Sequence, residues 1–145
     1  MDKFNLNRFI KAQEETYSSA MDEIKSGSKY GHWMWFIFPQ VEGLGSTEMT
    51  KKFSIKSLEE AKAYLKHAIL GERLLESCEI LLKLEDVSIS DVMGFPDDLK
   101  LRSSMTLFES ASIKNSIFSK VLDEYYESSR DNKTLDLLNI LEKLN

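Results

Sequence analysis

Two short segments of the chain combine bulky apolar side chains with polar groups suited to binding a ligand. The first is HWMWFIFPQ at residues 32–40, and the second is PDDLKLRSSMTLF at residues 96–108. Together they hold both tryptophans, both prolines and one of the two histidines. The rest of the sequence is typical of ordinary amphipathic helices. We therefore expect a ligand site, if the protein has one, to be built from these two segments.

The second segment has polar residues at positions that should be partly buried. On a helical wheel the apolar residues of 99–108 fall on two sides rather than on one stripe. Two narrow polar stripes run between these sides, one of Lys100 and Ser104 and the other of Arg102 and Thr106. A helix packed on two sides buries at least one such stripe, and a buried cation needs an anionic partner.

Two interpretations of these cations remain open from the sequence. In the structural interpretation, Lys100 and Arg102 pair with carboxylates of the chain, at 97–98 or at Glu109, and Ser104 bonds back to a carbonyl group. In the functional interpretation, the cations and hydroxyl groups face a cavity and hold a polar or anionic ligand. Charge-assisted hydrogen bonds to such a ligand would be stronger than neutral ones.

The functional interpretation predicts a pocket between the two segments. The residues predicted to line it are His32, Trp33, Gln40, Lys100, Arg102 and Ser104. His32 has an alternative role as a hydrogen-bonded residue at the edge of the core. Trp33 and Trp35 point about 160° apart on a helix, so only one of them can line a given pocket. Residues 43–46, GLGS, form either a turn that offers amide groups to a ligand or a turn that only caps the next helix.

Composition and charge exclude several classes of function. A net charge of −5 and a pI near 5.1 argue against nucleic-acid binding, which needs clustered positive charge. The longest apolar run, 33–38, is too short to span a bilayer, and the N-terminus lacks the pattern of a secretory signal. Neither Cys78 nor the histidines have neighbours at metal-ligand spacing, so we expect no metal and no cofactor. These features predict a cytoplasmic protein.

Apolar spacing predicts an all-α fold, with one domain over residues 1–145 made of seven to nine mostly short helices. The helices predicted are 6–24, 33–38, 57–65, 69–84, 88–93, 96–108, 117–125 and 135–144, and another beginning at Ser46 or Thr47. Asn5 is the predicted cap of the first helix, Ser57 and Glu60 form a predicted capping box, and Asp131 is the predicted cap of the last. Pro96 is predicted at the first position of its helix.

Five strings of residues resemble a known family. They are HWMWFIFPQ at 32–40, GLGS at 43–46, SLEEAKAYL at 57–65, LGERL at 70–74 and PDDLKLRSSMTLF at 96–108. They are similar to an uncharacterised family of small bacterial and fungal proteins, sometimes labelled calpastatin, and the resemblance covers about residues 6–138. The mycobacterial member is mainly α-helical, so the resemblance implies an all-α fold. It implies no activity, substrate or catalytic residue.

Three functions follow as alternatives. The first is a module that binds a small polar or anionic ligand between 32–40 and the helix at 99–108. The second is an enzyme that acts on a nucleotide or ADP-ribose-type substrate, such as an N-glycosidase, which rests on a loose similarity to the NAD- and ADP-ribose-associated domain family. The third is a protein that binds a partner through its apolar surface. Convergence of His32, Lys100 and Arg102 on one cavity would favour the first two, whereas side chains that face different ways would leave the third as the default.

Overall fold

The structure is a computed structural model that describes residues 2–144, except that the side chain of Leu144 lies outside the described part. Ten helices follow one another along these residues. They are α1 (Asn7–Glu14), α2 (Tyr17–Ser26), α3 (Met34–Ile37), α4 (Glu48–Lys52), α5 (Leu58–Lys66), α6 (Leu70–Lys83), α7 (Ile89–Met93), α8 (Asp97–Ser110), α9 (Ile117–Tyr125) and α10 (Asn132–Leu144). The all-α prediction is confirmed, and the helix count is one above the predicted range.

The extra helix arises because the single helix predicted over 6–24 is in fact two. The helix is interrupted at Glu15 and Thr16, which lie between α1 and α2 although their backbone angles stay in the right-handed helical region. The two halves pack against different partners, α1 against α3 and α2 against α6. Phe9 of α1 and Ile24 of α2 are both fully buried. The apolar spacing alone did not reveal the break, because a seven-residue interval fits one continuous helix equally well.

The start of the first helix also differs from the prediction. Asn5 has a positive φ of 51° and does not cap the helix. The carboxylate of Asp2 takes that role, accepting hydrogen bonds from the backbone N–H groups of Leu6 at 2.7 Å and Asn7 at 2.9 Å. These bonds lower the pKa of Asp2.

Three later caps are where the sequence places them. Ser57 accepts from the N–H of Glu60 at 3.0 Å, and Thr47 accepts from the N–H of Thr50 at 3.1 Å. Asp131 accepts from the N–H of Thr134 at 3.3 Å. The second half of the predicted capping box is different, because Glu60 accepts from the residue before Ser57. Pro96 is the residue before α8 rather than its first helical position.

Helix α8 is the centre of the molecule and packs against α5, α7, α9 and α10. Its apolar residues from Leu101 to Phe108 are fully buried, and so are the hydroxyl-bearing Ser104 and Thr106 between them. This arrangement confirms that the helix is packed on more than one side. Leu99, at its first turn, is 43% exposed and lies on the open side of the helix.

The first chemistry-bearing segment folds as the short buried helix that was predicted. Trp33, Phe36 and Phe38 are all buried around α3. The chain then forms an isolated parallel bridge with residues 54–55, in which the N–H of Ile55 donates to the carbonyl of Gln40 at 2.8 Å. This bridge fixes the backbone of Gln40 beside α8. Within residues 2–144, no helix is long and apolar enough to cross a bilayer.

Candidate functional site

A cavity of about 260 Å³ lies between the segment that follows Pro39, the first half of α8 and the start of α10. The residues that line it are Gln40, Leu44, Gly45, Thr50, Pro96, Leu99, Lys100, Arg102, Ser103, Asp131 and Lys133. We call it the α8 cavity. Two other surface cavities, of about 630 Å³ and 460 Å³, contain none of the residues predicted to bind a ligand.

Arg102 is the most unusual side chain of the α8 cavity. Its Nε is buried and makes no hydrogen bond. Among the described residues its guanidinium group forms no ion pair, since Asp98 and Glu109 are engaged elsewhere. Its charge is felt by Tyr126, whose pKa is raised by burial and by Asp98 and is lowered in turn by Arg102. A cation in this state has donors free for a ligand.

Glu109 and Asp98 were the carboxylates expected to neutralise Arg102. Glu109 instead forms an ion pair with Arg130, whose Nε donates to it at 2.9 Å, and this contact lowers the pKa of Glu109. Asp98 accepts from the hydroxyl of Ser90 at 2.8 Å. Neither carboxylate therefore forms an ion pair with Arg102 within residues 2–144.

Lys100 is paired, but weakly. Its Nζ lies 3.8 Å from Asp97 and 5.5 Å from the ring centroid of Trp35. Asp97 is closer to Lys29, at 2.8 Å, and Lys29 is the more deeply buried of the two cations. Because Asp97 is shared by two cations, it neutralises the charge of Lys100 only in part, and Lys100 still attracts anions to the cavity.

Gln40 and the turn that follows it form the opposite wall. The side-chain amide of Gln40 donates to the carbonyl of Lys100 at 3.4 Å, a long contact that joins the two segments. Gly45 makes the close approach of the turn to α4 feasible, because a Cβ there would lie 2.5 Å from the side chain of Thr50. Packing thus explains Gly45, and the turn forms part of the cavity wall.

Two charged residues of the cavity come from the start of α10. Asp131 holds this end of the helix, and its Oδ2 accepts from Ser103 at 2.9 Å and from the hydroxyl of Thr134 at 2.5 Å. Lys133, exposed in the first turn, brings a third cation to the rim. The sequence identified Asp131 as a cap and gave no signal for Lys133, since nothing local links these residues to α8.

The family model described as "Protein of unknown function (DUF1810)" matches residues 3–138. The chain belongs to this family. This chain is similar to a protein of known crystal structure, the conserved hypothetical protein Rv1873 from Mycobacterium tuberculosis, with which it shares 47% sequence identity. It superposes with a TM-score of 0.93, and the match covers 95% of this chain and 99% of that one. No curated protein matches. The resemblance seen in the sequence is confirmed, and the DUF1810 family supplies no activity.

Two of the predicted lining residues of this DUF1810 protein lie outside the α8 cavity, on the loop before α3. Trp33 is only 1% exposed, and its Nε1 donates to Glu23 at 3.1 Å while Lys29 lies 4.8 Å from its ring. Glu23 also accepts from the N–H groups of Tyr30 and Gly31. Trp33 is therefore a core residue that anchors the loop. His32 is exposed on the same loop and does not reach the cavity.

Ser104 is also separate from the cavity. It is fully buried within α8, and its Oγ has no hydrogen-bond partner in the described residues. The expected bond back to a carbonyl is absent at Ser104, although the neighbouring Ser103 and Thr106 make such bonds, at 3.2 Å and 2.8 Å. Of the six predicted lining residues, the fold brings Gln40, Lys100 and Arg102 together.

Proposed function

We propose that this protein binds a small anionic ligand in the α8 cavity. The observation that carries the proposal is Arg102, a half-buried guanidinium group that lacks a carboxylate partner within the described chain and lines an open cavity. Burying a cation without a partner is costly, and this cost is offset when an anion binds.

The charges around the cavity support an anion rather than a neutral ligand. Lys100, Arg102 and Lys133 face it, against the single carboxylate of Asp131. The whole chain carries a net charge of −5, so a local excess of cations runs against the average surface. Such a patch in a concave site concentrates anions from solution.

The size of the cavity supports a small metabolite. A volume of about 260 Å³ lies below the 300–1,000 Å³ range of sites for drug-sized ligands. Leu44 and Leu99 add apolar surface to the wall, which would cover a short carbon skeleton.

The experiment is a titration followed by backbone amide NMR, with inorganic phosphate, sulfate and acetate as the probes. We expect saturable shifts at Gln40, Lys100 and the first turn of α10. Arg102→Met should weaken phosphate binding by about tenfold to a hundredfold, as expected for charge-assisted hydrogen bonds.

The matched control is Arg73→Met. Arg73 is also half-buried and without an ion pair in residues 2–144, but it donates to Gln13 at 3.3 Å and lies 5.1 Å from the ring of Tyr17, away from the cavity. It should leave phosphate binding unchanged. The proposal is overturned if no anion shifts these amides at up to about 10 mM. It is also overturned if Arg102→Met binds phosphate as tightly as the unmodified protein and the Arg73→Met control do.

A further inference from the structure

Asp131 is a carboxylate fixed inside a cavity that otherwise attracts anions. We propose that the ligand is a phosphomonoester of a small polyhydroxylated compound, whose phosphate faces the cations and whose hydroxyl group donates to Asp131. This inference rests on the proposed anion site and names its ligand class.

The geometry leaves one oxygen of Asp131 available. Its Oδ2 accepts three hydrogen bonds, from the hydroxyl of Ser103 at 2.9 Å, the hydroxyl of Thr134 at 2.5 Å and the N–H of Thr134 at 3.3 Å. Its Oδ1 accepts none from the part of the chain that the structure describes. Capping α10 and bonding Ser103 therefore use one oxygen of this carboxylate and leave the other able to accept a hydrogen bond from a ligand.

The position of Asp131 is tied to that of Arg102. The N–H of Asp131 donates to the hydroxyl of Thr106 at 3.0 Å, and that hydroxyl donates to the carbonyl of Arg102 at 2.8 Å. Yet Asp131 forms no ion pair with Arg102, Lys100 or Lys133 in residues 2–144. The anionic and cationic groups of the cavity are held apart, so each remains open to a different part of one ligand.

The charges favour a phosphomonoester over a carboxylate. Lys100, Arg102 and Lys133 outnumber the one lining carboxylate, Asp131, and although Lys100 shares Asp97 with Lys29, the cavity keeps an excess of positive charge. A phosphomonoester carries about −1.5 to −2 at neutral pH, so it offers this excess more negative charge than a simple carboxylate does. Inorganic phosphate binds the same cations but places its charge near Asp131, and the repulsion between the two anions weakens its binding.

A hydroxyl group next to the phosphate removes this conflict. It donates to Oδ1 of Asp131 in a charge-assisted hydrogen bond, which is stronger than a neutral one. A site built around such an acceptor discriminates against a ligand that lacks the hydroxyl group, because the acceptor is then left unpaired. The side-chain amide of Gln40, on the opposite wall, offers a second polar contact to the same ligand.

The test compares two phosphomonoesters of equal skeleton by calorimetry, glycerol 3-phosphate and propyl phosphate, with glycerol as the uncharged control. The unmodified protein should bind glycerol 3-phosphate about tenfold or more tightly than propyl phosphate, and glycerol without measurable heat. Arg102→Met should weaken both esters. Equal affinity for the two esters would leave the anion site standing and overturn this inference, whereas no binding of either ester would overturn both.

Asp131→Asn and Asp131→Ser test the acceptor itself. Both residues are good helix caps, so α10 should keep its start. Asn replaces the free acceptor by a donor and should reduce the preference for glycerol 3-phosphate to about threefold or less, and Ser, which is too short to reach, should abolish it. Propyl phosphate should bind each variant at least as well as the unmodified protein, because a negative charge is removed. A preference that survives in both variants overturns the role of Asp131.

Discussion

Arg8 and Arg102 show two different uses of a guanidinium group in one small protein. All five N–H donors of Arg8 are engaged, four with backbone carbonyls and one with the carboxylate of Glu60 at 2.8 Å. Arg102 makes no such bond within the described chain, and its Nε is nevertheless buried. Arg8 also lies over the ring of Phe9, 4.3 Å from its centroid. The two arginines differ in how many of their N–H donors are hydrogen-bonded to the protein itself.

A saturated arginine holds segments of the fold together. Arg8 joins α1 to the chain around Ser54 and to Glu60 at the start of α5, and its side chain is only 9% exposed. An arginine whose N–H donors are not bonded to the protein, and which lies beside a cavity, has those donors available for a ligand. The number of protein hydrogen bonds therefore distinguishes a structural arginine from one proposed to bind an anion more directly than charge or burial alone.

The largest effect is expected from Arg8→Met. It leaves Glu60, which is buried, without its cation, and breaking a buried pair in this way costs about 3–5 kcal/mol. Urea denaturation should show this loss of stability, while phosphate binding by the folded protein stays unchanged. A loss below about 1 kcal/mol would mean that saturation does not mark a structural role.

Arg102→Met should have the opposite profile. The free energy of unfolding should change by less than about 1 kcal/mol, because no hydrogen bond or ion pair of the guanidinium group to the described residues is lost and a desolvated Nε is removed. The same urea experiment measures it beside Arg8→Met. A loss as large as that of Arg8→Met would show that Arg102 stabilises the fold through contacts of its own, and would remove the basis for the anion site.

Glu109 and Arg130 provide an intermediate case, a pair that is partly exposed. Glu109→Gln should cost about 1 kcal/mol at neutral pH, with allowance for solvent screening. The pKa of Glu109 is lowered by the bond to Arg130, so its stabilising contribution is present above its ordinary value of 4.5 and is lost as the pH falls below it. Denaturation at pH 7 and pH 3 should therefore show the two proteins converging in acid. A constant difference would contradict the assigned pair.

The smallest effect is expected at Ser104, whose buried hydroxyl group has no hydrogen-bond partner among the described residues. Ser104→Ala removes a hydroxyl group that gains nothing in the folded state and should raise stability by up to about 1 kcal/mol. Thr106→Val is the matched comparison, since the hydroxyl of Thr106 is bonded at both ends, to Arg102 and to Asp131, and its loss should destabilise. Thermal denaturation measures the stability of both variants. A Ser104→Ala protein less stable than Thr106→Val would contradict this expectation.

Much of the fold was predictable from local patterns. The helical spacing gave α8 and the short buried helix α3, and side-chain caps at Thr47, Ser57 and Asp131 are where the residue types indicate. The break between α1 and α2 was missed because the spacing is compatible with one helix, and only their different packing partners separate them.

The candidate site was predictable in part for the same reason. Gln40, Lys100 and Arg102 stand in the two segments with unusual patterns, and the fold joins them. Trp33 was misplaced because an aromatic side chain looks the same in a core and in a pocket wall, and its partner Glu23 lies on another helix. Lys133 was missed because it lies in an ordinary charged helix start.

The sequence by itself determined the all-α class, most helix positions and the burial of polar residues within α8, since periodicity and caps act over a few neighbouring residues. The tertiary structure decided which carboxylate meets which cation. Glu109 is near Arg102 in the chain, yet it pairs with Arg130 from the segment before α10. Ion pairs are set by the packing of distant elements, and that packing leaves Arg102 facing a cavity with Asp131 and Lys133 on its wall.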